Sequence, residues 1–234
     1  MPKIIRRRFL IGIDTSMNKK FSYLVFGPAN QVNQLKSDIE HICLRNGVKK
    51  LHFNEIDPPK RKKIYPEIVN SVLKYKNVTY DVLRHEKPLE YENKDFYFNF
   101  LTEEYAKEFA FLKNKDGIVR IDIHDDFRVT NVNDSTSHFI DCLADAISKI
   151  LADKSGFFRN KKEGIVYSTI TCKETGNTLK LNLRKVSEGS SAVIVADIVL
   201  GFHQLKFKTL NRLLPQTQFD KEFIKKAFYK NLTP

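Results

Sequence analysis

Ser190-Ser191-Ala192-Val193-Ile194-Val195-Ala196-Asp197-Ile198-Val199-Leu200-Gly201-Phe202 is the stretch on which the fold turns. From Ala192 to Phe202 every residue but Asp197 is apolar or small, so the element it forms is largely buried and takes the carboxylate with it. A lone carboxylate removed from water is strongly destabilising unless it is protonated, paired or bound to a metal. Asp197 therefore requires a partner. Ser190 or Ser191 is a good N-cap, and in spite of the β-branched content the stretch is read as a buried helix over residues 192–205. An ionic partner within reach is hard to find: His203 lies on the wrong helical face, and any Lys or Arg would have to come from elsewhere in the chain. A metal site is the favoured reading for Asp197.

Outward from this helix, candidate partners stand at the ends of apolar runs. Phe9-Leu10-Ile11-Gly12-Ile13-Asp14 reads as a buried strand ending in acid, and residues 21–26 as a second strand joined to it as a hairpin. Residues 31–45 carry Val32, Leu35, Ile39, Ile42 and Cys43 at helical spacing and stop at Gly47. Lys50-Leu51-His52-Phe53-Asn54-Glu55-Ile56 is a third candidate strand, halted by Asp57-Pro58-Pro59, and residues 60–74 follow as a helix. Residues 78–84 form another strand, and 96–112 an aromatic helix read as core. Gly117-Ile118-Val119-Arg120-Ile121-Asp122 is again an apolar strand that ends in acid, before a helix begun by Asp134 or Ser135 and closed by Gly156. A basic loop over 157–164 leads into a β-hairpin over 165–186, in which Leu179, Leu181 and Leu183 alternate with Lys180, Asn182 and Arg184. A basic helical tail near 206–234, anchored by Phe219, Phe223, Ile224 and Phe228, completes one domain spanning 1–234.

Composition narrows the function classes. Lys and Arg number 40 against 28 Asp and Glu, a net charge of +12, which points to a polyanionic partner. Cys43, Cys142 and Cys172 lack the spacing of a disulfide framework or a zinc site, so a reducing cytoplasm is expected. No apolar run is long enough to span a bilayer. No P-loop, dinucleotide-binding glycine pattern or G-x-S-x-G is present, which removes support for NTPase, dehydrogenase and serine-hydrolase readings.

Asp14, Glu55 and Asp122 then share a position: each lies at or near the C-terminal end of an apolar run, the edge of an α/β sheet where sites form. Neighbouring strands would bring them together, with Asp197 as a fourth. Gathered carboxylates repel one another, and a divalent cation relieves that repulsion. An all-oxygen set favours Mg²⁺ or Mn²⁺, which suits cleavage of phosphodiester bonds. Each acid also has a simpler role: Asp14 in an Asx-turn, Glu55 in a loop, Asp122 in one acidic cluster with Asp125 and Asp126. On an extended strand His52 and Glu55 face opposite ways, so His52 reads as a core histidine or a support to the ligands; His124 shares a face with Asp122. Lys60, Arg61, Lys62 and Lys63 at a helix start, with Lys180 and Arg184, are the candidate phosphate contacts.

In these motifs the chain resembles the domain-of-unknown-function 3800 family, whose members are similar to ribonuclease H-like proteins. Ile13-Asp14-Thr15-Ser16, Leu51-His52-Phe53-Asn54-Glu55, Ile121-Asp122 and Val195-Ala196-Asp197-Ile198-Val199 stand in the order of that family's Asp-Glu-Ser-Gly, His-x-x-Glu, strand-Asp and Gln-Leu-Ala-Asp-Leu motifs. Thr15 and Met17 replace the Glu and Gly of the first, and Ile194 the Gln of the last. The resemblance implies an α/β fold with a ribonuclease H-like mixed sheet flanked by helices, and a two-metal site for Mg²⁺ or Mn²⁺ on Asp14, Glu55, Asp122 and Asp197. The expectation is a metal-dependent nuclease acting on DNA or RNA. The altered first motif favours an alternative, a nucleic-acid-binding module on the same fold that does not cleave. The sequence leaves the oligomeric state open, a homodimer included.

Overall fold

A computed structural model of the 234-residue chain describes residues 7–15, 21–84, 102–103, 105–124, 135–186 and 189–201. The tail near 206–234, Asp125, Asp126, His203 and residues 96–101 and 104 of the aromatic stretch lie outside the described residues; the rest of that stretch buries Tyr105, Phe109 and Leu112. The protein is α/β. Strands β1 (Arg8–Thr15), β2 (Phe21–Pro28), β3 (Thr79–Arg84), β4 (Gly117–His124), β5 (Ala152–Lys162), β6 (Ile165–Cys172) and β7 (Thr178–Val186) form one seven-stranded mixed sheet in the order β3-β2-β1-β4-β7-β6-β5. Helices α1 (Ala29–Arg45), α2 (Pro58–Lys74), α3 (Ser135–Leu151) and α4 (Ser191–Gly201) flank it. The chain packs as two compact units, one of residues 1–10 and 88–187, the other of residues 11–87 and 188–234. No helix among the described residues is long and apolar enough to cross a membrane.

In the second unit α4 is buried on every side, as its composition requires, and only Ser191 and Ile194 keep partial exposure. It packs on α1 and β2, where Val32, Leu35 and Ile39 meet a core that includes Tyr23, Val25, Ile64 and Ile68. Each such side chain contributes roughly 1.5–3 kcal/mol by leaving water. Gly12 of β1 permits the closest approach: a Cβ there would fall on the Ala192 backbone and lie 2.6 Å from the Val193 nitrogen. α1 ends where Gly47, at φ 71°, turns the chain and donates its N–H to the Leu44 carbonyl at 2.9 Å.

In the first unit α3 presents Phe139, Leu143, Ile147 and Leu151 at four-residue spacing, all buried, to one face of the sheet. β4 runs parallel to β7, while β5–β6 and β6–β7 are antiparallel. Val166, Ser168, Ile170, Leu179, Leu181 and Leu183 are the buried face of the expected hairpin, so residues 165–186 are part of the sheet proper.

Two elements differ from expectation. Residues 50–56 are not a strand: Phe53–Glu55 form a 3-10 turn. The buried pair there is Phe53 and Ile56, a spacing of three that a turn satisfies and an alternating strand cannot. The basic loop expected over 157–164 belongs instead to strand β5, with Gly156 inside it and α3 ending at Leu151. Its strand character is hidden because Arg159 and Lys161, the residues facing α3, reach the α3 carboxylates Asp145 and Asp141 where hydrophobic residues would ordinarily stand. Glu163 at φ 53° and Gly164 at φ 74° make the two-residue connection to β6, the backbone that matches the twist of a tight hairpin.

Candidate functional site

Asp197 finds partners in the segment that carries the His-x-x-Glu element. Its Oδ2 accepts the Phe53 backbone N–H at 2.7 Å, and its Oδ1 lies 3.9 Å from Nε2 of His52. The 3-10 turn produces both contacts. His52 caps that turn, its Nδ1 accepting the Asn54 N–H at 3.2 Å, so the neutral ring carries its proton on Nε2, toward Asp197. His52 is half-exposed while Asp197 is buried. Gly201, one turn beyond Asp197, sits against Phe53, whose Cβ would be 2.7 Å from any Cβ added there. The histidine thus meets the acid, and Glu55 is exposed on the turn instead of standing at a strand end.

Asp14 occupies the end of β1 and is buried, and it belongs with Asp197 to the second unit. Asp122 belongs to the first unit, on β4, and is fully buried between two arginines. Arg184, its direct neighbour across the β4–β7 pair, donates from Nε to Oδ1 at 2.6 Å and from Nη2 to Oδ2 at 3.4 Å. Arg120 Nε forms an ion pair with Oδ2 at 3.2 Å. The hydrogen bond from Arg184 to Asp122 raises the guanidinium pKa above its ordinary value, against the opposing effect of partial burial. Both oxygens of Asp122 are therefore engaged. Among the described residues no three His, Cys, Asp or Glu side chains are grouped so as to hold a metal ion.

The candidate phosphate contacts divide. Lys60 pairs with Asp57 at 3.4 Å and donates to the Gly47 carbonyl at 3.1 Å. Arg61 donates to the Ile56 carbonyl at 2.8 Å and stacks 4.6 Å above the Phe53 ring. Both hold α2 to the turn before it. Lys62 and Lys63 are exposed. Lys180 and Arg184 lie on the face of the sheet away from α3, and the strand register sets out that face row by row. Phe158, Thr169, Lys180 and Ile118 form one row, Asn160, Tyr167, Asn182 and Arg120 the next, and Lys162, Ile165, Arg184 and Asp122 the third. Phe158 is 69% exposed and Tyr167 37%.

This face could have been found in the sequence only in part. The alternation in β7 exposes Lys180 and Arg184, but Phe158, Asn160 and Lys162 join them only once β5 is known to be a strand. A groove of about 460 Å³ between α1 and α2, lined by Asp38, His41, Arg45, Glu67 and Lys74 among others, contains none of these residues. Its walls are tied by ion pairs of Arg45 with Glu67 and Lys74 with Asp38. No family model, no curated protein and no solved structure matches the chain.

Proposed function

We propose that the protein binds nucleic acid. The observation that supports this reading is the sheet face opposite α3, where Arg120, Lys162, Lys180 and Arg184 share one face with Asp122, the carboxylate that engages the two arginines, on a chain of net charge +12. Cations arrayed on an open surface attract a phosphate backbone and release its counterions on contact. Binding of labelled DNA and RNA oligonucleotides, followed by fluorescence anisotropy, tests the reading. Affinity should fall as salt is raised, and Lys162→Glu with Lys180→Glu should weaken it further. No binding to any oligonucleotide at low salt would overturn it.

A divalent-metal-dependent nuclease on a ribonuclease H-like fold is the second reading. It is favoured by two buried carboxylates, Asp14 and Asp197, on β1 and α4, the elements that Gly12 seats against each other. Asp122 is not available to that site while both its oxygens face guanidinium groups. A ligand that binds only the folded state raises its melting temperature, so Mn²⁺ should stabilise the protein over EDTA and Asp197→Asn should abolish the difference. An equal melting temperature in Mn²⁺ and EDTA would sink this reading and leave the first intact.

A further inference from the structure

We infer that the sheet face of β4, β7, β6 and β5 takes single-stranded nucleic acid, successive bases stacking on Phe158 and Tyr167 while the phosphates lie along Lys162, Lys180 and the arginines. The inference rests on the nucleic-acid reading above and adds the substrate class. Phe158 stands opposite Thr169 on β6, two residues from Tyr167 on the same strand and the same face. The two rings are therefore diagonal neighbours, roughly 7–8 Å apart at their backbones. Phe158 leaves most of its ring in water beside Arg159, Asn160, Lys161 and Lys162, the other exposed side chains described on that strand, a cost that a stacked base would offset. Base–aromatic stacking needs an accessible π-face, which a single strand offers and an intact duplex hides. Asn160 and Asn182, in the same row as Tyr167, carry both donors and acceptors for the edges of stacked bases.

A second copy of the chain is the less suitable occupant. β5 is the outermost strand of the sheet, and pairing two copies edge to edge would set Lys162 of one against that of the other, Arg159 and Lys161 being held by the α3 carboxylates Asp145 and Asp141. Basic edges of this kind oppose strand addition. An acidic strand does not meet that repulsion.

The test uses the full chain with a labelled single-stranded oligonucleotide and the same sequence as a duplex, with light scattering to read oligomeric state. Phe158→Ala and Tyr167→Ala should each weaken single-strand binding by roughly 5- to 100-fold, and Phe158→Ala should do so with little change in melting temperature, since Phe158 is 69% exposed. Phe158→Trp and Tyr167→Phe, which keep a ring, should retain binding. Duplex affinity should be lower and should not respond to the alanine variants. If the alanine variants bind the single strand as wild type does while Lys162→Glu and Lys180→Glu weaken it, the stacking inference fails and the nucleic-acid reading stands. Tighter binding to the duplex than to the single strand would also overturn it, as would a dimer that Phe158→Ala dissociates. Absence of binding to either oligonucleotide would take down the underlying reading as well.

Discussion

Asp197 and Asp122 are both buried carboxylates, and they are satisfied in different ways. Asp197 accepts a backbone N–H, so Asp197→Ala leaves that buried donor unpaired and should cost about 1–3 kcal/mol. Asp197→Asn keeps an acceptor oxygen and should cost less than about 1 kcal/mol by urea denaturation. Asp122 is shared by two guanidinium groups, so Asp122→Ala sets Arg120 and Arg184 against each other. Because those arginines are about one-third exposed, the loss should be about 2 kcal/mol, below the range for a fully buried pair. The same change should raise affinity for oligonucleotides. Cys43 supplies a pH dependence, since burial pushes its thiol up to about 11 from 9.0. The folded state holds a proton that the unfolded chain releases between those values. The stability this contributes is complete below pH 9.0 and is lost as pH rises through about 11. Tyr75, pushed up to about 12 first by burial and then by its hydrogen bond to Asp38, acts in the same direction at higher pH. The urea midpoint should therefore decline as pH rises from 9.0 to about 11, and Cys43→Ala should flatten part of that slope.

At the scale of elements, the contact between β1 and α4 depends on a missing side chain. Gly12→Ala puts a Cβ onto helix backbone, which cannot rotate away, and should cost at least about 3 kcal/mol. Gly164→Ala is the control: nothing lies within 4 Å of its added Cβ, so only the positive φ is penalised, at about 1 kcal/mol. Denaturant midpoints of the two variants should separate by that margin. Helices α1, α2 and α3 were legible because each shows a repeated apolar face, as with Val32, Leu35 and Ile39 in α1 and Phe139, Leu143 and Ile147 in α3. β7 was legible through the alternation of Leu179, Leu181 and Leu183. β5 was not, because its α3-facing residues are Arg159 and Lys161, whose suitability for a covered face depends on Asp141 and Asp145 in a different element. The turn at Phe53–Glu55 was hidden for a related reason: seven residues halted by Asp57-Pro58-Pro59 fit a short strand as well as a turn, and only the depths of Phe53 and Ile56 separate the two.

For the whole molecule, electrostatics provides the broadest prediction. If Lys162, Lys180, Arg120 and Arg184 supply three to four phosphate contacts, log affinity for a single strand should fall against log salt with a slope of about −2 to −3. Lys180→Ala should reduce that slope by roughly 0.7, as titrations at several salt concentrations would show. Lys60 and Arg61 contribute to the net charge but are bonded to the backbone around α2, so replacing them should affect stability more than the salt slope.

The sequence by itself determined the α/β class, the burial of the stretch around Asp197, the apolar strands of β1, β4 and β7, and the excess of positive charge, because burial pattern and charge are written locally, residue by residue. It also established that Asp197 needs a partner. Which partner it has was decided by tertiary structure: the Phe53 N–H and the His52 ring reach it through a turn, and a backbone donor leaves no mark in the pattern of side chains. Asp122 is the same case, since Arg184 becomes its partner only when β7 lies parallel to β4 in that register. The exposed face with Phe158 and Tyr167 exists because three hydrogen-bonded strand pairs align rows of residues distant in sequence, and strand pairing is a non-local choice that no single stretch encodes.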